Sequence, residues 1–261
     1  TIGASGALTP MATATVAAGL RPYSITIDPS SKYAYVANGS DNVLQYTIGA
    51  SGALTPMTPA TVAAGLAPTS VTVDPSGKYA YVANWGSDNV SQYTIAANGA
   101  LTPMAAATVA AGTQANSVTV DPFGKYAYVA NRGSNNVSQY TIGMDGALTP
   151  MATTTVAAGT YSRSVTVDPS GKYAYVANGW SYDISQYTIG TGGALTPMTP
   201  ATVAEAGGPV SIVISVQPSS SSTPSTPLNV TGGWMGSENN YYRGGTDTLN
   251  LSLSQVGATV S

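Results

Sequence analysis

The side chains able to do chemistry in this 261-residue sequence are few. There is no His and no Cys, which excludes Ser-His-Asp and Cys-His nucleophiles, imidazole or thiolate metal sites and a disulfide framework. Four carboxylates recur in matching surroundings, as Asp28-Pro29, Asp74-Pro75, Asp121-Pro122 and Asp168-Pro169, followed by Lys32, Lys78, Lys125 and Lys172. Each sits in a separate copy of a repeated turn, so they are expected to cap backbone N–H groups there and not to gather around a metal or a proton. Asp41, Asp88 and Asp183, with Asn135 in the third copy, are likewise expected to make Asx turns, since Ca²⁺ would need several more oxygens. Gln45-Tyr46, Gln92-Tyr93, Gln139-Tyr140 and Gln186-Tyr187 recur faithfully enough to fill one structural slot per copy. No glycine-rich phosphate loop is present, no metal site is expected, and no cofactor is called for.

The residues that do vary between copies are large and contact-forming. One set of loops reads GSDN, WGSDN, RGSNN and GWSYD, which contributes Trp85, Arg132, Trp180 and Tyr182. The connections between copies read LRPYS, LAPTS, TQANS, TYSRS and EAGGPVS, adding Arg21, Tyr23, Tyr161, Arg163 and Glu205. Aromatic and Arg side chains dominate binding hot spots, and flat aromatic faces beside Asn, Asp and Arg suit sugars. Arg21, Tyr23, Trp85, Arg132, Tyr161, Arg163, Trp180 and Tyr182 are therefore the candidate ligand- or partner-binding residues.

The elements that carry these loops are set by a repeat. Tyr-Val-Ala-Asn begins at Tyr35, Tyr81, Tyr128 and Tyr175, 46, 47 and 47 residues apart, and GALTPM starts at Gly6, Gly52, Gly99, Gly146 and Gly193. In the second copy, Ser70–Val73 is a β-branched strand closed by the turn Asp74-Pro-Ser-Gly77. Lys78–Ala83, Val90–Ile95 and Leu101–Val109 supply three more strands. Four short antiparallel strands per unit is the pattern of a β-propeller blade. In Tyr79–Ala83 both parities are apolar or aromatic, as expected of a blade covered on both faces by its neighbours. In such a meander the Asp-Pro turns lie at one end, and the variable loops and inter-blade connections lie together at the other.

The tandem VTVDPSGKYAYVAN followed by NVSQYTI resembles the YVTN-type β-propeller repeat of bacterial and archaeal surface proteins, here spelled YVAN, over residues 1–216. That family is related to the seven-bladed lactonase-like propellers. The lactonase-like branch implies acid/base residues, often with His, in a central site. This chain has no His and its repeated carboxylates fall in turns.

The fold class expected is all-β, a propeller of four-stranded blades over residues 1–217, with a Ser/Thr/Pro linker at 218–227 and a short C-terminal β segment at 228–261. Counting strands points to five blades if the tail supplies the second and third strands of the last one. The tail could equally open a second domain, and the N-terminal outer strand, which lacks its own blade, could pair with a neighbouring molecule.

Charged residues are 7% of the chain and the net charge is −3 without a basic cluster, so no nucleic-acid partner is expected. No apolar run is long enough to span a membrane. The function expected from the residues is a non-catalytic extracellular or cell-surface module, structural or adhesive, that associates with itself or holds a glycan or protein on its variable loops. The alternatives are a lactonase-like hydrolase, for which Arg21, Arg163 and Glu205 are the non-repeated candidates, and a filament subunit built by donation of the N-terminal strand.

Overall fold

In the computed structural model the described residues are 7–11, 15–214, 228–231 and 251–253, the last two as backbone only. Four successive sheets follow the repeat. The first contains β1 (Pro22–Ile27), β2 (Tyr33–Asn38), β3 (Asn42–Ile48) and β4 (Leu54–Ala63), and the second β5 (Pro68–Val73), β6 (Tyr79–Asn84), β7 (Asn89–Ile95) and β8 (Leu101–Ala110). The third has β9 (Ala115–Val120), β10 (Tyr126–Asn131), β11 (Asn136–Ile142) and β12 (Leu148–Ala157), and the fourth β13 (Ser162–Val167), β14 (Tyr173–Asn178), β15 (Asp183–Ile189) and β16 (Leu195–Ala204). All four are antiparallel meanders in chain order. Beyond them β17 (Val213–Ile214), β18 (Leu228–Thr231) and β19 (Leu251–Leu253) make a three-stranded sheet. The described chain is thus four complete blades plus a fifth sheet one strand short, against the five expected. The linker at 218–227 and most of the tail lie outside the described residues.

The innermost strands β1, β5, β9 and β13 adjoin one another, while the sheets splay outward from them, so the blades fan around an axis. The second strand of each blade explains why. Tyr-Ala-Tyr-Val-Ala-Asn is buried on both faces from its second residue onward in all four copies. Alternate residues therefore serve two different junctions. Tyr81, Ala83 and Val90 pack forward on Ala115, Val118, Ala127, Val129, Tyr140 and Leu148 of the next blade, and the same set recurs one blade earlier and one blade later.

The Gln and Tyr polar groups at each junction are satisfied across it, as burial requires. Gln45, Gln92 and Gln139 accept through Oε1 from the Leu101, Leu148 and Leu195 N–H at 2.6–2.7 Å. The Tyr35, Tyr81 and Tyr128 hydroxyls donate to the carbonyls of Gly99, Gly146 and Gly193 at 2.6–2.7 Å. The Tyr93, Tyr140 and Tyr187 hydroxyls donate backwards to Ala63, Ala110 and Ala157. Tyr46 makes the same bond to the Ala17 carbonyl, so the N-terminal segment stands where the outer strand of a preceding blade would stand.

The Asp-Pro carboxylates are structural, as expected. Asp74 Oδ1 accepts from the Lys78 and Tyr79 N–H groups at 2.9 and 2.8 Å, and Oδ2 from Ser76 N–H at 3.0 Å. Asp28, Asp121 and Asp168 repeat the arrangement. Asp41 and Asp88 do more than turn their own loops. With Asn135 they accept through Oδ1 from the N–H of Ala67, Gln114 and Tyr161 in the next inter-blade connection, at 2.7–2.8 Å. Asp183 does not belong with them. It stands at the register of Asn89 and Asn136, and Tyr182 occupies the latch position in the fourth blade.

Candidate functional site

The loops after the second strand of each blade and the connections between blades lie at one end of the fold. Both carry non-glycine residues in the left-handed region, at Arg21, Ala67, Gln114 and Tyr161 in the connections and at Asp41, Asp88, Asn135 and Tyr182 in the loops. That conformation costs about 1 kcal/mol per L-residue, and the latch bonds from one row to the other hold it in the first three blades. A residue there carries its side chain out of the strand ladder, so its identity is free to change. Three copies spend the connection position on Arg, Ala and Gln, and the fourth on Tyr161.

Tyr161 is the centre of the densest cluster. Its ring stacks on Trp180 with centroids 4.0 Å apart and planes 4° from parallel. The Arg132 guanidinium carbon lies 3.7 Å from the Tyr161 centroid. Two groups this near one ring centre cannot share a face, so Tyr161 is sandwiched between Arg132 from the third blade and Trp180 from the fourth. Arg163 reaches over the same ring from 5.2 Å. Cation–π and stacking contacts of this kind contribute on the order of 1 kcal/mol each. Trp180 remains 61% exposed, so it offers a held, flat aromatic surface beside two guanidinium groups.

The structure therefore brings together Arg132, Tyr161, Arg163 and Trp180. Tyr182 is on the same fourth-blade loop but turns toward Gly208. Arg21 and Tyr23 each approach Gly39 in the first blade, apart from this cluster. Trp85 is half-buried within the second blade and stands at the register of Arg132, whereas Trp180 stands one residue later, at that of Gly86. The two tryptophans thus do different work.

Glu205 is the residue that the repeat makes conspicuous. Its N–H donates to the Tyr182 carbonyl at 2.7 Å, as those of Ala64, Ala111 and Ala158 donate to Asp41, Asp88 and Asn135. Those alanines pack against the junction cores. In the fourth blade a carboxylate occupies the alanine slot, and burial pushes its pKa up, offset in part by a hydrogen bond from the Ala206 N–H. The segment it opens runs on to Gly208, against the Gly179 carbonyl, and Gly179 in turn abuts the Arg163 side chain. Glu205 and the Arg163 cluster thus belong to the same loop end, linked through Gly208 and Gly179. Among the described residues no three His, Cys, Asp or Glu side chains gather as metal ligands.

Comparison with known proteins identifies the scaffold. The model of the family described as lactonase, 7-bladed beta-propeller, matches residues 5–214. The chain belongs to this lactonase family. Similar solved structures include a Bacteroides fragilis protein classed provisionally as a 6-phosphogluconolactonase, 26% identical, with 72% of this chain on 55% of that one and a TM-score of 0.64. A Bacteroides uniformis protein with the same provisional classification is 21% identical, with 80% on 65% and a TM-score of 0.70. The periplasmic gluconolactonase of Pseudomonas aeruginosa is 21% identical, with 72% on 55% and a TM-score of 0.63. The chain spans between about half and two thirds of the length of these structures. No curated protein sequence matches it.

The expectation of a non-catalytic adhesive or structural module is corrected by these findings, which favour the lactonase reading. The physical reason is that the absence of His and Cys removes nucleophiles but not hydrolysis. A lactone is an ester that water can open once a carboxylate accepts a proton from it. No helix among the described residues is long and apolar enough to cross a membrane.

Proposed function

We propose that this chain acts in the hydrolysis of a sugar-derived lactone, with its working surface on the loop end of the third and fourth blades. The observation that carries the reading is the substitution of Glu205 for the half-buried alanine that stands as Ala64, Ala111 and Ala158 in the other copies, in a chain of the lactonase family, on the same loop end as Arg163 and Trp180. Trp180 offers a stacking face for the C–H side of a sugar ring. Arg163 and Arg132 offer N–H donors for the charge that develops on the carbonyl oxygen as water adds, and for an anionic substituent on the sugar. Glu205, raised by desolvation, holds its proton affinity nearer neutrality than an exposed carboxylate and so is a better acceptor for the proton of the attacking water. The ring C–O bond then breaks, giving a carboxylic acid and a free hydroxyl. Work outside the cytosol is supported by the low charge content and by the periplasmic location named for one similar structure.

The test is the opening of gluconolactone and of its 6-phosphate by the purified chain, followed by acid release in a pH-stat. Saturable turnover above the spontaneous rate is expected, falling about 10²–10⁴-fold in Glu205→Gln. A rate indistinguishable from buffer, or an unchanged rate in Glu205→Gln, overturns the proposal.

A further inference from the structure

The latch between loop and connection is an internal control on charge at the loop end. In three junctions it is the same bond, donated by the N–H of Ala67, Gln114 and Tyr161 to Oδ1 of Asp41, Asp88 and Asn135 at 2.7–2.8 Å. The bond itself is thus indifferent to whether a carboxylate or a carboxamide accepts it. The loops that keep Asp, GSDN and WGSDN, contain no cation, and neither do the connections they hold, LAPTS and TQANS. The loop with Asn135, RGSNN, contains Arg132, and the connection it holds, TYSRS, contains Arg163. Of these three junctions, the one with guanidinium groups is the one whose latch is neutral.

Asn135 and Arg132 both contact Tyr161. Asn135 accepts from its N–H, and the Arg132 guanidinium carbon lies 3.7 Å from its ring centroid, with that of Arg163 at 5.2 Å. The latch holds Tyr161 at a φ of 68°, and from there the ring stacks on Trp180. Asn135 is half-buried where Asp41 and Asp88 are exposed. A charge on its Oδ1 would act on the two guanidinium groups through a partly dry junction, where it is screened less than at an open surface. Asp183, the carboxylate of the fourth-blade loop, is turned back on its own blade, with Oδ1 accepting from Asn178 Nδ2 at 2.7 Å and Ser181 Oγ at 3.0 Å.

We infer that Asn135 is a positioning residue that sets the charge preference of this site. Its Oδ1 holds Tyr161 and the aromatic plane in place, and its neutrality leaves the charge of Arg132 and Arg163 to an anionic group on the ligand. The inference rests on the reading of this loop end as a sugar-lactone surface and adds the residue that tunes it. Asn135→Asp keeps the bond, as Asp41 and Asp88 do in their junctions, and introduces a competing anion. Asn135→Ala removes the bond.

The experiment compares the full chain with both variants on gluconolactone and its 6-phosphate, at about 0.05 M and about 1 M salt. In Asn135→Asp the KM of the 6-phosphate should rise about 10-fold relative to that of the neutral lactone at low salt. The difference should collapse at high salt, where the Debye length is about 3 Å. Asn135→Ala, which loosens the aromatic plane, should raise both KM values together at either salt concentration. Calorimetric titration with inorganic phosphate reads the same preference without turnover, and its Kd should rise about 10-fold in Asn135→Asp. A parent that opens no lactone but binds phosphate in this way overturns the lactonase reading and upholds the inference. A KM ratio and a phosphate Kd unmoved by Asn135→Asp, or a parent that binds neither the 6-phosphate nor inorganic phosphate, overturns the inference.

Discussion

Gly99 turns directly beneath the ring of Tyr33 in the preceding blade, at a φ of 82° and with no room for a Cβ. Gly146 under Tyr79 and Gly193 under Tyr126 repeat the contact, but Gly52, at the same φ, has only Met11 Cε at 3.9 Å. Substituting both glycines by Ala separates backbone strain from packing. Gly52→Ala is expected to cost about 1–2 kcal/mol, the left-handed penalty. Gly99→Ala should add about 1–3 kcal/mol of overpacking to that. Equal urea-denaturation losses for the two variants would mean that the Tyr33 clasp contributes nothing.

Removing the Asp74 carboxylate leaves the Ser76 and Tyr79 N–H groups of its turn without their acceptor and the Lys78 N–H with only a longer bond, 3.3 Å, to the Ser76 hydroxyl. Asp74→Ala is expected to destabilise by about 2–3 kcal/mol, with Asp74→Asn intermediate because one oxygen remains. For Asp28 the pH dependence has a definite sign. Burial raises its pKa, but hydrogen bonds from the Ser30 hydroxyl and from the Tyr33, Ser30 and Lys32 N–H groups outweigh burial and hold it below the ordinary value. Its stabilisation is therefore present above the unfolded pKa of about 3.9 and lost as pH falls through the lower folded value. Thermal melts across acid pH should show a shallower decline for Asp28→Asn than for the parent.

At high pH the buried tyrosines act in the opposite direction. Burial pushes the phenols of Tyr140, Tyr175 and Tyr187 up to about 12. An unfolded tyrosine ionises near 10, so stability is complete below that pH and declines from there toward 12. Phenolate absorbance should rise in two phases, the later one coinciding with loss of β-sheet circular dichroism. A single phase near 10 with the fold intact would contradict the burial of these hydroxyls.

Trp180→Ala removes the exposed plane while leaving the Tyr161–Arg132 contact in place. It is expected to raise KM about 10-fold for a sugar lactone with little change in kcat, the signature of lost ground-state binding. The kcat/KM of the parent should climb with pH through a limb lying above the ordinary carboxylate range, and that limb should vanish in Glu205→Gln. A kcat loss in Trp180→Ala as large as the KM rise would assign the indole to orientation of the reacting ester instead.

Much of the architecture was legible in the residues themselves. KYAYVAN, apolar on both parities, required two covered faces and has them. The invariance of Gln92-Tyr93 reflected its two inter-blade bonds. Asp183 stands one register position later than Asp88, since the fourth loop ends Tyr182-Asp183 where the second ends Asp88-Asn89. Gathering Arg132, Tyr161, Arg163 and Trp180 on one ring required knowing that Tyr161 adopts a left-handed φ, which an aromatic side chain does not advertise. Glu205 was within reach, because aligning EAGGPVS with the other connections puts it over Ala64, Ala111 and Ala158. Composition gives a lone carboxylate no weight until its counterparts in the other copies are known to be half-buried alanines.

Each junction carboxamide, hydroxyl and glycine reaches no further than its own and the adjoining repeat. Energetic consequences of a substitution consequently stop one module away on either side. Such an arc can be lengthened by a module without redesigning what is already there, and a single copy can carry a Trp180 or a Glu205 while the others keep the shared residues. Novelty in this molecule is confined to one wedge at a time.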